Sequence, residues 1–175
     1  MQYVAFLRAI NTGNRRIKMA DLRTVYEGLG YDDVATHIAT GNVIFESSTT
    51  PPLSELESMF EQRFGFHSEV FLRDAPSVKA ILDSVPWRAE DDVVEVSFLE
   101  RTPDPSAARA LEATAVEPEQ LLVRDREVLF LRGLGRGVPT IHNEATSVQV
   151  LGMKMTRRGM ATVRQIHAKY LLPRQ

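Results

Sequence analysis

Between Tyr3 and Arg73 the apolar residues switch back and forth between two periods. The order of those switches constrains the fold more than any other feature of the chain. Tyr3–Ile10 reads as a buried strand. Met19–Leu29 reads as a helix, with Leu22, Val25, Tyr26 and Leu29 at i, i+3, i+4 and i+7 and Gly30 where a helix-ending glycine belongs. Val34–Ala39 and Asn42–Glu46 read as short strands around Thr40-Gly41, a hairpin signal. The run Ser47-Ser48-Thr49-Thr50-Pro51-Pro52 is a loop that opens a helix. That helix continues to Phe64, with Leu53, Leu56, Phe60 and Phe64 on one face, and Ser68–Arg73 is the next strand. The order β-α-β-β-α-β is that of the split βαβ, or ferredoxin-like, unit. In that unit the first strand lies between two others, and the strand order is 4-1-3-2.

The second half repeats the plan in element order. Asp74-Ala75-Pro76 opens a connecting helix with Val78, Ile81, Leu82 and Val85 inward. Val93–Leu99 reads as a strand, Asp104-Pro105 caps a helix reaching Ala113, and Leu121–Arg124 and Glu127–Leu131 form a hairpin around Asp125-Arg126. Asn143–Leu151 reads as a helix ended by Gly152, Met153–Met155 as a last short strand, and Arg157–Leu171 as a final helix. The expected class is therefore α+β. It comprises two tandem ferredoxin-like units, residues 1–74 and 75–175, with antiparallel sheets, helices packed on one face and an extra C-terminal helix. A length of 175 residues suits one large domain or two small ones.

Composition narrows the function classes. The chain has no cysteine, which removes disulfides, thiolate ligands and a Cys nucleophile. No apolar run approaches a membrane span, and no basic segment precedes an apolar one at the N-terminus, so a cytoplasmic protein without a membrane partner is expected. A net charge of −2 gives no overall bias toward polyanions, and no nucleic-acid partner is expected. The histidines at 37, 67, 142 and 167 lack metal-ligand spacing, so no metal and no cofactor are expected. The loop Gly133-Leu134-Gly135-Arg136-Gly137 lacks the third glycine and the Gly-Lys-Ser/Thr of nucleotide loops and reads as a plain loop. Glu90-Asp91-Asp92 reads as a solvated turn. Nothing in the sequence decides whether the chain is an enzyme, and nothing sets an oligomeric state.

Three stretches carry a family resemblance. They are Tyr3-Val4-Ala5-Phe6-Leu7-Arg8-Ala9-Ile10-Asn11-Thr12-Gly13, Met19-Ala20-Asp21-Leu22-Arg23, and Thr40-Gly41-Asn42-Val43-Ile44-Phe45 with Thr36 before it. This pattern resembles a mostly bacterial family of unknown function, the domain-of-unknown-function family 1697. Its members open on Arg-Gly-Ile-Asn-Val-Gly and carry a Met-x-x-Leu helix, a Ser-Gly-Asn-Val-x-Phe strand and a C-terminal Thr-Arg-Asn-Trp-x-Thr-Val segment. Phe64-Gly65-Phe66 also fits. In the second half Gly133-Leu134-Gly135-Arg136 resembles a family turn, with Gly137-Val138 in place of Ser-Lys. Thr156-Arg157 and Thr162-Val163 match the last motif, with Arg158-Gly159 in place of Asn-Trp. The resemblance implies an α+β fold with ferredoxin-like parts and no established activity.

Two places could hold chemistry. In a split βαβ unit the end of the first strand meets the start of the third. Arg8, Asn11, Lys18, Thr40, Gly41 and Asn42 then share one rim, with Arg15, Arg16 and His67 nearby. Guanidinium and backbone N–H groups suit a small phosphate- or carboxylate-bearing ligand. The structural alternative is that Thr-Gly-Asn is simply a hairpin and that Arg8, inside a central strand, pairs with Glu46 or with backbone carbonyls. The second place is the start of the last helix, where Thr156 would cap and Arg157 and Arg158 would stand at a terminus that disfavours cations. The competing reading of the whole chain is a protein–protein or single-stranded RNA interaction module without catalysis.

Overall fold

The computed structural model describes residues 1–13, 15–87, 93–133 and 142–172. The acidic turn expected at Glu90-Asp91-Asp92 and most of the loop that begins at Gly133 lie outside the described residues. The elements are β1 (Gln2–Leu7), α1 (Met19–Gly28), β2 (Asp32–Thr36), β3 (Asn42–Glu46), α2 (Leu53–Phe64), β4 (Val70–Asp74) and α3 (Ala75–Asp83). They continue as β5 (Val94–Leu99), α4 (Pro105–Glu112), β6 (Gln120–Arg124), β7 (Glu127–Leu131), α5 (Glu144–Leu151), β8 (Met155–Gly159) and α6 (Met160–Ile166). A π-helical turn, His167–Leu171, follows α6 directly.

The chain forms two four-stranded antiparallel sheets with helices packed on them, an α+β fold. The first sheet has the order β2-β3-β1-β4 and the second β6-β7-β5-β8. Both are the expected 4-1-3-2 order of a ferredoxin-like unit. Compact unit 1 comprises Met1–Lys79 together with Ile166–Gln175, and unit 2 comprises Ala80–Gln165. Among the described residues no helix is long and apolar enough to cross a membrane.

In unit 1 the helix periodicity puts Leu22, Val25, Tyr26, Leu56 and Phe60 into one core with Tyr3, Ala5, Leu7, Val43 and Phe45 of the sheet. Leu29, the last residue of the sequence pattern, lies beyond the end of α1 and is only partly buried against that core. In unit 2 the corresponding core joins Leu99, Leu111, Leu121, Val123, Phe130, Leu151 and Met155. Helix α5 has the termini its sequence encodes: Asn143 Oδ1 accepts from Thr146 N at 3.0 Å, and Gly152 takes φ 61° where a side chain would be strained.

Several boundaries differ from the sequence reading, among them β2, which ends at Thr36 and not at Ala39, and two of them bear on the expected sites. Strand β1 stops at Leu7, because Ala9 has φ 53° and cannot continue an extended chain. Arg8 is therefore not inside a central strand. Near the C-terminus, residues 155–159 form strand β8, not the start of a helix. They pair with β5 from Leu99↔Met155 to Glu95↔Gly159, so the ladder hydrogen bonds of a central strand override weak local preference. Thr156 is thus no helix cap, and Arg157 and Arg158 do not stand at a helix N-terminus.

Matching registers align the two sheets position by position. Phe6 opposes Asn42 as Phe98 opposes Glu127, and Ala5 opposes Leu72 as Ser97 opposes Arg157. On this alignment Leu7 corresponds to Leu99, Phe45 to Phe130 and Arg73 to Arg158. Both of these arginines are buried, and each donates Nη1 to the preceding carbonyl, at 2.9 Å from Leu72 O and 2.8 Å from Arg157 O. Burial pushes the Arg158 pKa down to about 10, which leaves it charged at neutral pH. Tyr3, Ala5 and Leu72 on the core-facing side of the first sheet are replaced by Glu95, Ser97 and Arg157 in the second.

Candidate functional site

The end of β1 meets the start of β3, and six of the seven sequence-selected residues belong to unit 1. Leu7 N donates to Gly41 O at 2.8 Å. Asn11 Nδ2 donates to Ala39 O at 2.8 Å, and Asn11 Oδ1 accepts from Ile17 N at 2.7 Å. One side chain therefore ties the loop after β1 both to itself and to the β2–β3 hairpin. Asn42 is fully buried, and its Nδ2 donates to His37 O and Thr40 Oγ1, each at 2.9 Å. Gly41 has φ 79°, and a Cβ there would lie 2.8 Å from Ile10 Cδ1, so this contact between the loops requires glycine. Ile38 at φ 49° is a second departure, since β-branched residues rarely adopt that region.

The loop from Arg8 to Lys18 carries four basic residues and no acidic one. Arg8 Nη1 lies 3.6 Å from Glu69 Oε2, not against Glu46, and about a third of its side chain is exposed. Its backbone is pinned by Arg8 N to Glu69 O at 3.0 Å and by Ser68 Oγ to Arg8 O at 2.8 Å. Arg15 covers the Phe66 ring at 4.2 Å, and Arg16 donates to Gly13 O at 2.9 Å. His67 stands between Glu61, at 3.4 Å, and Glu69, at 3.9 Å. Lys18 is exposed at the N-cap of α1 and makes no capping hydrogen bond. A cation at that position opposes the helix dipole by roughly 0.3–1 kcal/mol. Lys18, rather than Arg157, thus stands as a cation at a helix N-terminus.

Arg157 belongs to unit 2 and sits in a polar set that sequence reading missed. Its Nη1 contacts Glu95 Oε2 at 3.1 Å and its Nε contacts Ser97 Oγ at 3.3 Å, while Arg132 Nη1 lies 3.6 Å from the other Glu95 oxygen. The Arg157 guanidinium also lies 5.4 Å from the Phe130 ring centre. Phe130 also contacts His142, with 5.4 Å between ring centres, and a His142 ring nitrogen is 2.8 Å from Ser147 Oγ. Glu119, itself buried, accepts from His142 N at 2.9 Å. The signal for this set is the pair Glu95 and Ser97 at alternating positions of an otherwise apolar strand.

Burial, and then the Arg157 guanidinium, push the His142 imidazole below its ordinary pKa, with Glu119 opposing in part. A histidine whose folded pKa is depressed contributes stability above the unfolded value of about 6.5 and loses it as pH falls toward the folded pKa. Melting temperatures measured between about pH 7.5 and pH 5.5 should therefore fall less steeply in His142→Gln than in the wild type. Parallel curves would show that His142 titrates alike in both states.

The fold and the first-unit rim define a tandem ferredoxin-like protein with a basic, braced loop at one sheet end. The chain belongs to the family described as "Protein of unknown function (DUF1697)", whose profile matches residues 1–129. No curated protein matches it. Among solved structures it is similar to a conserved bacterial protein, SP0830, from Streptococcus pneumoniae, at a TM-score of 0.75 and 20% identity over 98% of both chains. That likeness is one of fold.

Proposed function

We propose that unit 1 binds a small anionic ligand, bearing a phosphate or a carboxylate, at the rim formed by the ends of β1 and β3. The observation that carries this reading is the loop Arg8–Lys18, with its four basic residues, held against the β2–β3 hairpin by Asn11 and Gly41. In this reading Arg8, Lys18 and the exposed Thr40 hydroxyl contact the ligand, and Asn11, Gly41 and the buried Asn42 form the frame. Glu69 offsets part of the positive charge and sets the resting position of Arg8. An anion at the start of α1 would relieve the unfavourable placement of Lys18.

Thermal-shift titration with inorganic phosphate and with succinate tests the reading. The wild type is expected to gain melting temperature saturably with at least one of them. Arg8→Gln and Lys18→Gln should each weaken that response about tenfold, because a charge-assisted hydrogen bond is worth about 1.5–3 kcal/mol. Both variants should melt close to the wild type without ligand, since exposed ion pairs contribute only about 0–1 kcal/mol. A response unaffected by either variant, or none from either anion, removes the reading. Binding of a single-stranded oligonucleotide without any response to phosphate would favour the interaction-module alternative instead.

A further inference from the structure

Unit 2 carries polar groups where its counterpart is apolar. Glu95 and Ser97 of β5 and Arg157 of β8 share the core-facing side of the second sheet, at the register positions that Tyr3, Ala5 and Leu72 hold in the first. Phe130 pairs directly opposite Glu95. The topology forms in unit 1 without charge at these positions. Replacing a buried ion pair with apolar residues is often neutral or stabilising, so stability alone does not account for the set. Local rules are broken in this way at functional sites. We propose that Arg157, Ser97 and His142 bind a small monocarboxylate in unit 2, a site separate from the rim of unit 1.

Three donors in this set have no acceptor among the described residues. The Arg157 guanidinium directs Nη1 to Glu95 Oε2 at 3.1 Å and Nε to Ser97 Oγ at 3.3 Å, which leaves the protons of Nη2. Ser97 Oγ is the acceptor of its bond, so its own proton remains to donate. His142 Nε2 lies 2.8 Å from Ser147 Oγ, and in the tautomer where Ser147 donates, Nδ1 carries the ring proton. Ser97 is 2% exposed and His142 4%, and a donor without an acceptor is costly at such burial. About a fifth of the Arg157 side chain meets solvent, which gives a ligand its approach. Phe130 touches both ends of the set, with its ring centre 5.4 Å from the Arg157 guanidinium and 5.4 Å from the His142 ring.

The donors select the ligand class. All three offer protons and one carries a full positive charge, so the matching group is an oxyanion. Glu95 and Ser97 hold the guanidinium in place before the ligand arrives, which lowers the ordering cost of binding. The same Glu95 carboxylate, 3.1 Å from Arg157, repels a dianion more than a monoanion. A monocarboxylate adds a single charge, and its two oxygens accept enough bonds to serve Arg157 Nη2, Ser97 Oγ and His142 Nδ1 together.

Titration of the full chain with sodium acetate tests this at about pH 7.5, above the ordinary imidazole pKa of about 6.5. Nitrogen-correlated NMR spectra follow the His142 ring and the backbone amide at position 97, with sodium chloride and sodium sulfate as comparisons. Both signals should move saturably with acetate and stay in place with chloride. Ser97→Ala keeps the fold readable, because unit 1 has Ala5 at that position. It should weaken acetate binding about tenfold or more, the effect of losing one hydrogen bond to a charged group. Arg157→Leu, matching Leu72 of unit 1, should abolish the response of the His142 ring. The proposal is overturned if neither signal saturates by about 50 mM acetate, well past the ~1 mM that marks a weak site. It is equally overturned if chloride or sulfate moves the signals as acetate does, or if either variant binds acetate as the wild type does.

Discussion

Replacing Phe60 with alanine is expected to cost about 3–5 kcal/mol, the range for deleting a buried aromatic ring. Phe60 is fully buried on α2, with ring centres 4.8 Å from Phe64 and 5.2 Å from Phe66, and it joins α1 and α2 to the first sheet through a core shared with Leu22, Leu56 and Phe45. Leu22, Leu56 and Phe45 sit on regular elements and cannot collapse into the space, so the cavity persists and adds to the lost transfer energy. Urea unfolding should show a lower midpoint with little change in slope. A loss under about 1 kcal/mol would mean that this face of α2 does not line the core. Leu29→Ala should cost less than Phe60→Ala, because Leu29 is only partly buried past the end of α1.

Glu95→Ala is expected to cost about 3 kcal/mol, the lower end for breaking a buried ion pair, because about a fifth of each side chain still meets solvent. Removing Glu95 takes a carboxylate from two guanidinium groups at once, Arg157 at 3.1 Å and Arg132 at 3.6 Å. The register alignment supplies an internal control. The first sheet keeps Tyr3 where the second has Glu95, and Leu72 where the second has Arg157, so the fold itself does not require charge there. In an Arg157→Leu background, Glu95→Ala should therefore cost at least about 1 kcal/mol less than in the wild type, a coupling typical of side chains in contact. Strict additivity in chemical denaturation would show that the two side chains do not act as a pair.

The sequence made the fold legible where hydrophobic periodicity and caps agreed. Leu22, Val25, Leu56 and Phe60 sit in the core as their spacing demands, and Asn143 and Gly152 bound α5. It was misleading where pairing decides. Thr156-Arg157-Arg158-Gly159 has no apolar alternation to announce a strand, and only its ladder with β5 makes it one. That the end of β1 meets the start of β3 could be read in advance, because topology alone joins them. The partner of Arg8 could not, since Glu69 precedes β4, whose register with β1 is a tertiary result. The set around Arg157 escaped for the same reason. Glu95, Arg132, His142 and Ser147 gather around Arg157 and Phe130 only through two strand pairings, β5 with β8 and β5 with β7, and the placement of α5.

The bond from Gln2 to Tyr170 joins residues 168 positions apart. On a ribosome adding roughly 5–20 residues per second, the sheet strands of unit 1 emerge many seconds before Tyr170 is made. During that interval β1 through β4 can pair and bury Phe60, while Gln2 lacks the carbonyl that Tyr170 later supplies. Any chain released early, by a nonsense codon or a stalled ribosome, has the sheet of unit 1 but lacks Lys169 and Tyr170. The Gln2–Tyr170 bond is thus a property of completed synthesis alone, and a nascent chain lacks it however well its first sheet has formed.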